Sequence, residues 1–389
     1  MKVRVIIGAN YGDEGKGTVT ANYALKAKGK CLNVLTNGGA QRGHTVCTPF
    51  TEHTFKHFGS GTFFGADTYY DLYFICNPMQ FVMEYEQLKS KYDMTKINIF
   101  RNSLCSWTTP WDMMANQIEE ISRKDKRHGS CGMGIWATVR RVSSERINTL
   151  SYYPTIDDFV KMSFETKISY LKNVRTFYNY AENLSAFALY KDAWFSDETI
   201  LHFISDVMFF YEHTKVLDDL NSVDYDEIIF ENGQGLLLNS DIDNIHTTPS
   251  KTDSTCAVYA INKLKNVESI DLHYITRSYL TRHGNGLMED ERKRKEISSG
   301  IKEDRTNHHN EWQGEFRYGA LCLPELQNRI NSDIAYCKFR LDNKELSNLV
   351  NYNLEVTHLD EFDCLEQIKG SFNFLNINTY DSPIIRSSL

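Results

Sequence analysis

Short apolar runs separated by glycine-rich turns recur along the chain, and their order predicts an α/β fold. Val3–Ile7 reads as a buried first strand. The stretch Gly8-Ala-Asn-Tyr-Gly-Asp-Glu-Gly-Lys-Gly-Thr-Val-Thr20 follows it, and then a helical pattern through Ala21, Tyr23, Ala24 and Leu25. Cys31–Thr36 predicts a second strand, and Tyr73–Cys76 and Lys96–Phe100 two more, with helical spacing over Gln80–Tyr92 between them. Thr155–Thr214 is helical in pattern, aromatic and free of glycine, which predicts a helical insertion over residues 155–216 whose Phe and Tyr side chains serve as core. Strands return at Asp226–Phe230, Asp271–Thr276, Leu354–Asp360 and Phe374–Asn378, with a helix over Asp253–Leu264. No repeat, low-complexity tract or Pro/Gly-rich linker divides the chain. The expectation is one continuous domain over residues 1–389, a mostly parallel central sheet flanked by helices.

The glycine-rich stretches carry the candidate chemistry. A strand–glycine loop–helix junction aims backbone N–H groups and a helix N-terminus at one spot, which suits a phosphate. Gly8–Thr20 is P-loop-like but not a standard P-loop. Six residues separate Gly8 from Gly15, and Gly17 stands where Ser or Thr would meet Mg²⁺. Asp13 puts a carboxylate inside the loop, where a metal ligand or a proton acceptor makes sense; a plain surface turn is the other possibility. Asn37–Thr45 is a second such loop and contains His44, either a functional or a structural histidine. Gly129-Ser-Cys-Gly-Met-Gly-Ile135 is a third, with Arg140-Arg141 shortly after it, which a surface basic pair would also explain. The strand ending at Phe230 runs straight into Glu231-Asn-Gly-Gln-Gly235, and Gln234 can donate to an oxyanion without adding charge.

Composition narrows the class. A net charge of −8 argues against non-specific nucleic-acid binding. Nine scattered cysteines without a C-x-x-C pair predict free thiols in a reducing compartment. With no signal peptide and no run of about 18 apolar residues, the expectation is a cytoplasmic protein (host cytoplasm if viral) with no membrane partner. Glu289–Glu296 reads as a solvated helix face, and His308-His309 has no partner at metal-ligand spacing.

Gly12-Asp13-Glu14-Gly15-Lys16-Gly17, followed by Gly38-Gly39-x-x-x-Gly43-His44-Thr45, resembles the paired signature of the adenylosuccinate synthetase family. The resemblance implies a ligase that joins L-aspartate to C6 of a 6-oxopurine nucleotide through a 6-phosphoryl intermediate driven by GTP or ATP. The acceptor is IMP by family default, or dGMP in a phage branch that makes 2-aminoadenylosuccinate. Catalysis would fall to Asp13, Lys16, His44 and Gln234, and Mg²⁺ to Asp13 and the Gly43 carbonyl. Nucleotide contacts would come from Gly12, Glu14, Gly15, Gly17, Thr18, Gln41, Gly43 and Thr45 in the first two loops. Further on, Ser130, Cys131, Arg140 or Arg141, Thr248 (Thr247 beside it), Arg317, His358, Asp360, Asn378 and Tyr380 match nucleotide positions of the family. Gln313, Gly314 and Arg317 would hold aspartate, although Glu315 stands where an arginine is expected. The family acts as a homodimer in which an arginine crosses the interface. A P-loop-type GTPase switch, or an inactive nucleotide-binding relative, are the alternatives from other classes.

Overall fold

A computed structural model describes residues 1–147, 154–240, 248–304, 312–341 and 344–385. A nine-stranded sheet runs through it, with every neighbouring pair of strands parallel. From edge to edge its strands are Asn376–Tyr380, Val350–Thr357, Ser269–Arg277, Lys2–Gly8, Glu227–Gly235, Cys31–Leu35, Asp67–Tyr70, Ile99–Arg101 and Lys215–Val216. The central strand, Lys2–Gly8 (β1), lies between two long neighbours, with Val5 opposite Phe230 on one side and Leu272 on the other.

Alternation along β1 divides the sheet's two faces. Val3, Val5 and Ile7 pack with Leu272, Leu354 and the helices Thr255–Ile261 and Leu323–Arg340. Ile6 points the other way, onto Val19 and Ala24 of the helix Lys16–Lys26 (α1). Both faces are covered, which is why these strands read as near-continuous apolar runs.

Some expected elements moved. Tyr73–Cys76 shrinks to a two-residue pairing of Phe74–Ile75 with Gly38–Gly39; the sheet strand is the preceding Asp67–Tyr70. Residues 94–96 form a turn of 3₁₀ helix, which displaces the next strand to Ile99–Arg101. Lys215–Val216 belongs to the sheet edge, so the helical stretch ends at His213. Of the Glu289–Glu296 charge run only the last three residues are helical, as part of the short helix Arg294–Ile297. The pair His308-His309 lies outside the described residues. All nine cysteines are free thiols. Among the described residues no helix is long and apolar enough to cross a membrane.

In the stretch 156–213, Phe159, Tyr178, Trp194, Phe203 and Phe210 pack inward and share one core with Trp107, Trp111 and Tyr70, while Phe164, Phe177, Tyr180 and Phe195 are exposed. A buried ion pair ties this region together. Arg141 donates through Nε and Nη2 to the two oxygens of Asp112, both at 2.9 Å, and also to the Trp107 carbonyl. Tyr178 donates to the same carboxylate. The structure places Arg141, one of the two arginines expected at a phosphate, in the core: its guanidinium is fully buried and paired with Asp112. Removing one member of a buried pair strands the other charge. Arg141→Met should lower unfolding free energy by about 3–5 kcal/mol, read from the midpoint of a urea titration with an unchanged slope. A loss under about 1 kcal/mol would mean that Asp112 needs no cation.

Candidate active site

Four loops meet at the carboxyl ends of the central strands, where parallel sheets usually bind ligands. The first connects β1 to α1. Gly15 precedes the helix in a left-handed conformation (φ 96°), a position that suits glycine. Inside the loop, Glu14 Oε1 accepts from the backbone N–H groups of Asn10 (3.1 Å) and Gly12 (2.7 Å). Its other oxygen lies 3.5 Å from the Lys16 ammonium, which also donates to the Gly12 carbonyl. Burial raises the Glu14 carboxyl and lowers the Lys16 ammonium from their usual ranges. Thr357 Oγ1 donates to the Glu14 carbonyl at 2.8 Å. Glu14 and Lys16 thus hold the loop from within. Both side chains, expected at the ligand, lie buried beneath the loop, and neither lines the cavity described below. The Asp13 side chain does face that cavity, while its carbonyl accepts from Arg277.

The second loop delivers His44. It starts the strand His44–Cys47, which α1 approaches so closely that a Cβ on Gly17 would sit 2.9 Å from the Thr45 carbonyl. Gly17 therefore makes room for His44 and Thr45 and has packing as its task. Thr18 is likewise buried in the first turn of α1. His44 Nδ1 lies 2.5 Å from Glu231 Oε1, and Arg42 Nη2 lies 2.9 Å from the same oxygen. Ser60 adds its backbone N–H (3.1 Å) and its hydroxyl (2.5 Å) to the Glu231 carboxylate. Arg42 Nη2 also lies 2.7 Å from Nδ1, so Nδ1 faces the Glu231–Arg42 pair and Nε2 remains for the cavity. Burial, reinforced by Arg42 and opposed by Glu231, lowers the His44 pKa to about 3. The ring is neutral in the resting protein.

Gln234 closes this side. It adopts a left-handed backbone (φ 63°), uncommon for a non-glycine residue and typical of sites where neighbours over-determine the conformation. Asp13, Gly43, His44, Thr45 and Gln234 line one wall of a cavity of about 570 Å³. Gly129, Ser130, Cys131 and Met133 line the facing wall, at the start of the helix Ile135–Ile147. Ser130 Oγ is held by Asn116 at 2.8 Å, and the same amide accepts from the Gly134 N–H. Arg140 is half exposed at this wall and bonded to Glu119 at 2.8 Å. Gln41, Thr248 and Gln313 complete the lining. The Gln41 amide and the Thr248 hydroxyl are buried with no hydrogen-bond partner among the described residues, so both are available to a ligand. Thr247 lies outside the described residues.

The remaining predicted residues do not reach the cavity. Arg317 is bonded to Glu291 and to the carbonyls of Gly284 and Gly286, and so shapes a turn. Gly314, next to Gln313, borders open space: a Cβ there would meet nothing within 4 Å. His358 has a left-handed backbone (φ 61°), with Nδ1 2.8 Å from Thr357 Oγ1, and burial takes its pKa well below the usual range. Asp360 is exposed, 3.8 Å from Lys302. Asn378 donates to Glu355, and Tyr380 joins Glu355 and Tyr23. These last two side chains are thus tied to the sheet and are not free to read a base. Sequence reasoning missed Arg42, Lys56, Asn116 and Glu231. Only Glu231 had a visible signal, a carboxylate ending an apolar strand.

A parallel α/β sheet whose strand ends converge on a polar, glycine-lined cavity defines a nucleotide-binding type of architecture. Comparison with known proteins gives the family. The adenylosuccinate synthetase family model matches residues 5–331, and the chain belongs to that family. It is 26% identical over 305 residues to adenylosuccinate synthetase of Mycoplasma mycoides, a match covering 75% of this chain and 64% of that protein. It is 27% identical over 293 residues to adenylosuccinate synthetase 2 of Chromobacterium violaceum, covering 72% of this chain and 63% of that protein. The matches thus span somewhat under two thirds of these relatives' lengths. In fold the chain is similar to fully ligated adenylosuccinate synthetase from Plasmodium falciparum, with a TM-score of 0.64 at 17% identity, covering 94% of this chain and 78% of that one. It is equally similar to the cyanophage S-2L succinoaminodeoxyadenylate synthetase bound to dGMP and dATP, with a TM-score of 0.64 at 12% identity, covering 98% and 93%.

The buried histidines make stability depend on pH. His44 and His57 are each lowered to about 3, chiefly by burial. An unfolded histidine titrates near 6.5, so below that pH the unfolded chain binds the protons that the folded chain refuses. Stability is full above about pH 6.5 and falls toward pH 3, by up to about 1.4 kcal/mol per pH unit for each ring. Urea titrations at pH 7, 6 and 5 should show this decline; a flat profile would place both rings in contact with water. Arg42→Gln removes a charge that opposes protonation, so His44 should titrate at higher pH, readable by NMR of the imidazole.

Proposed function

We propose that the chain is a C–N bond-forming ligase of purine nucleotide biosynthesis. It joins L-aspartate to C6 of a 6-oxopurine nucleoside monophosphate, IMP or dGMP, with GTP or ATP as phosphoryl donor. The observation that carries this reading is the convergence of Asp13, His44 and Gln234 on one cavity wall, opposite the Gly129–Ile135 turn. The cavity falls in the size range of small-molecule sites.

A purine 6-oxo group leaves poorly. Asp13 takes the N1 proton, charge collects on O6, and O6 attacks the γ-phosphate of the donor. The Gln234 amide donates to the transferring phosphoryl group. His44, with Nε2 toward the cavity, stabilises the charge that grows on the departing β-phosphate by donating an N–H to it, in the protonated form that the bound anionic phosphates favour. Glu231, held at Nδ1, stabilises that imidazolium. The amine of aspartate then attacks C6 and expels phosphate, giving the N6-succino product. Lys16 supports these steps by fixing the loop that carries Asp13.

Mg²⁺ fits the oxygen donors present. The Asp13 carboxylate has no hydrogen-bond partner among the described residues, and Gly43 lies on the same wall. A hard cation with few protein ligands completes its shell with phosphate oxygens and water. When bound there it would supply charge neutralisation for the donor phosphates. The loop touches Thr357 on its other side, which leaves the His358–Asp360 end of the sheet for the donor base. Gln313 marks the aspartate side of the cavity. Arg140, at its rim, is the arginine suited to a second copy in a homodimer.

The test is phosphate release from aspartate and Mg²⁺ with each pairing of IMP or dGMP and GTP or ATP. Aspartate-dependent release with one acceptor identifies it, and release with none overturns the reading. Asp13→Asn should abolish turnover while nucleotide binding persists; near-normal kcat would remove Asp13 as the base. His44→Ala should cost at least about 10²-fold in kcat, and an unchanged rate would make it structural.

A further inference from the structure

Among the described residues, four lysine and arginine side chains line the cavity: Arg42, Lys56, Arg123 and Arg140. Three are already neutralised, Arg42 by Glu231, Arg123 by Glu119 and Glu120, and Arg140 by Glu119. The Lys56 ammonium has no acceptor among the described residues. Its backbone is nonetheless fixed. The Lys56 N–H donates to both oxygens of the buried Glu84, at 3.0 and 3.1 Å, and the flanking Phe55 and His57 are fully buried. Lys56 is a part-buried residue on this fixed base, and its ammonium, with no protein anion to meet it among the described residues, is suited to an anion that a ligand supplies.

The facing Gly129–Ile135 turn has the complementary deficit. It offers backbone N–H groups and a helix start, but few side-chain donors. Ser130 is engaged with Asn116, and Cys131 is a thiol, a weak donor that burial pushes up to about 11. The positive charge of Lys56 bears on that thiol in the opposite sense, so the two residues share one electrostatic neighbourhood. Thr248, 9% exposed and with an unpartnered hydroxyl, lines the same cavity.

We propose that Lys56 is the counter-charge for a phosphate monoester bound against the Gly129–Ile135 turn. On the reading given above, on which this inference rests, that group is the 5′-phosphate of the purine nucleoside monophosphate. Lys56 supplies the charge-assisted donor that the thiol of Cys131 cannot.

Calorimetric titration of the whole chain with IMP and dGMP, beside inosine and deoxyguanosine, tests it. Lys56→Met should weaken the monophosphates about 10- to 100-fold, the range for one charge-assisted hydrogen bond, and leave the nucleosides unchanged. Lys56→Arg should recover most of the loss. In turnover the effect should fall on KM and leave kcat nearly alone. The variant should melt with the wild type, because the ammonium has no protein partner to lose among the described residues. Unweakened monophosphate binding, or equal weakening of nucleoside and monophosphate, overturns the assignment of Lys56. A wild-type chain that binds the monophosphates, with Lys56 required, but releases no phosphate with aspartate keeps Lys56 and removes the ligase reading. A wild-type chain that binds neither monophosphate overturns both.

Discussion

A fully buried carboxylate at the end of a central strand has to be satisfied by fixed donors, and Glu231 imposes that constraint on the whole site. Its four partners come from two parts of the chain: Arg42 and His44 from the second glycine loop, and both donors of Ser60 from the segment after the hairpin of His44–Cys47 with Glu52–Phe55. Satisfying Glu231 therefore fixes where the hairpin sits and which nitrogen of His44 meets the cavity. The carboxyl stays ionised: Arg42 and His44 outweigh the cost of burial and hold its pKa far below the usual range.

The first loop is organised on the same principle with opposite partners. Glu14 satisfies backbone N–H groups that would otherwise lack acceptors, and Lys16 neutralises Glu14. Both charges turn inward, which leaves Asp13 as the loop's carboxylate toward the cavity. A loop in which Asp13, Glu14 and Lys16 all faced a ligand would have no internal tie. The division of labour follows from burial: with Glu14 and Lys16 turned inward, Asp13 is left to meet a substrate.

The cavity and the far end of the sheet differ in the same physical terms. Around the cavity, polar groups such as Gln41 and Thr248 lack internal partners among the described residues. Toward the edge strand, Asn378 and Tyr380 converge on Glu355 together with Tyr23 and His273. Arg141 and Arg317 are engaged by protein partners, while the Lys56 ammonium has none among the described residues.

Local pattern alone determined a good deal. The apolar runs of β1, Cys31–Leu35 and Glu227–Phe230 were legible because strands covered on both faces are apolar throughout, and the loops after them because glycine spacing marks close approach of backbone to an anion. Asp67–Tyr70 was not legible: it opens with a charged residue, and the more apolar Tyr73–Cys76 nearby drew the assignment. At the site, Asp13, His44 and Gln234 could be named from motifs, since each lies within a few residues of a glycine turn. Which arginine is structural could not be read, because Arg140 and Arg141 are neighbours in sequence and differ only in what the helix turns them toward, Glu119 at the rim or Asp112 in the core. The same holds for Glu231 and Lys56. Their roles depend on partners 171 to 189 residues away for Glu231, and, for Lys56, on a turn that reaches it only across the folded cavity. Sequence decides which groups exist; whether each charge is satisfied or left for a ligand is a property of the packed structure.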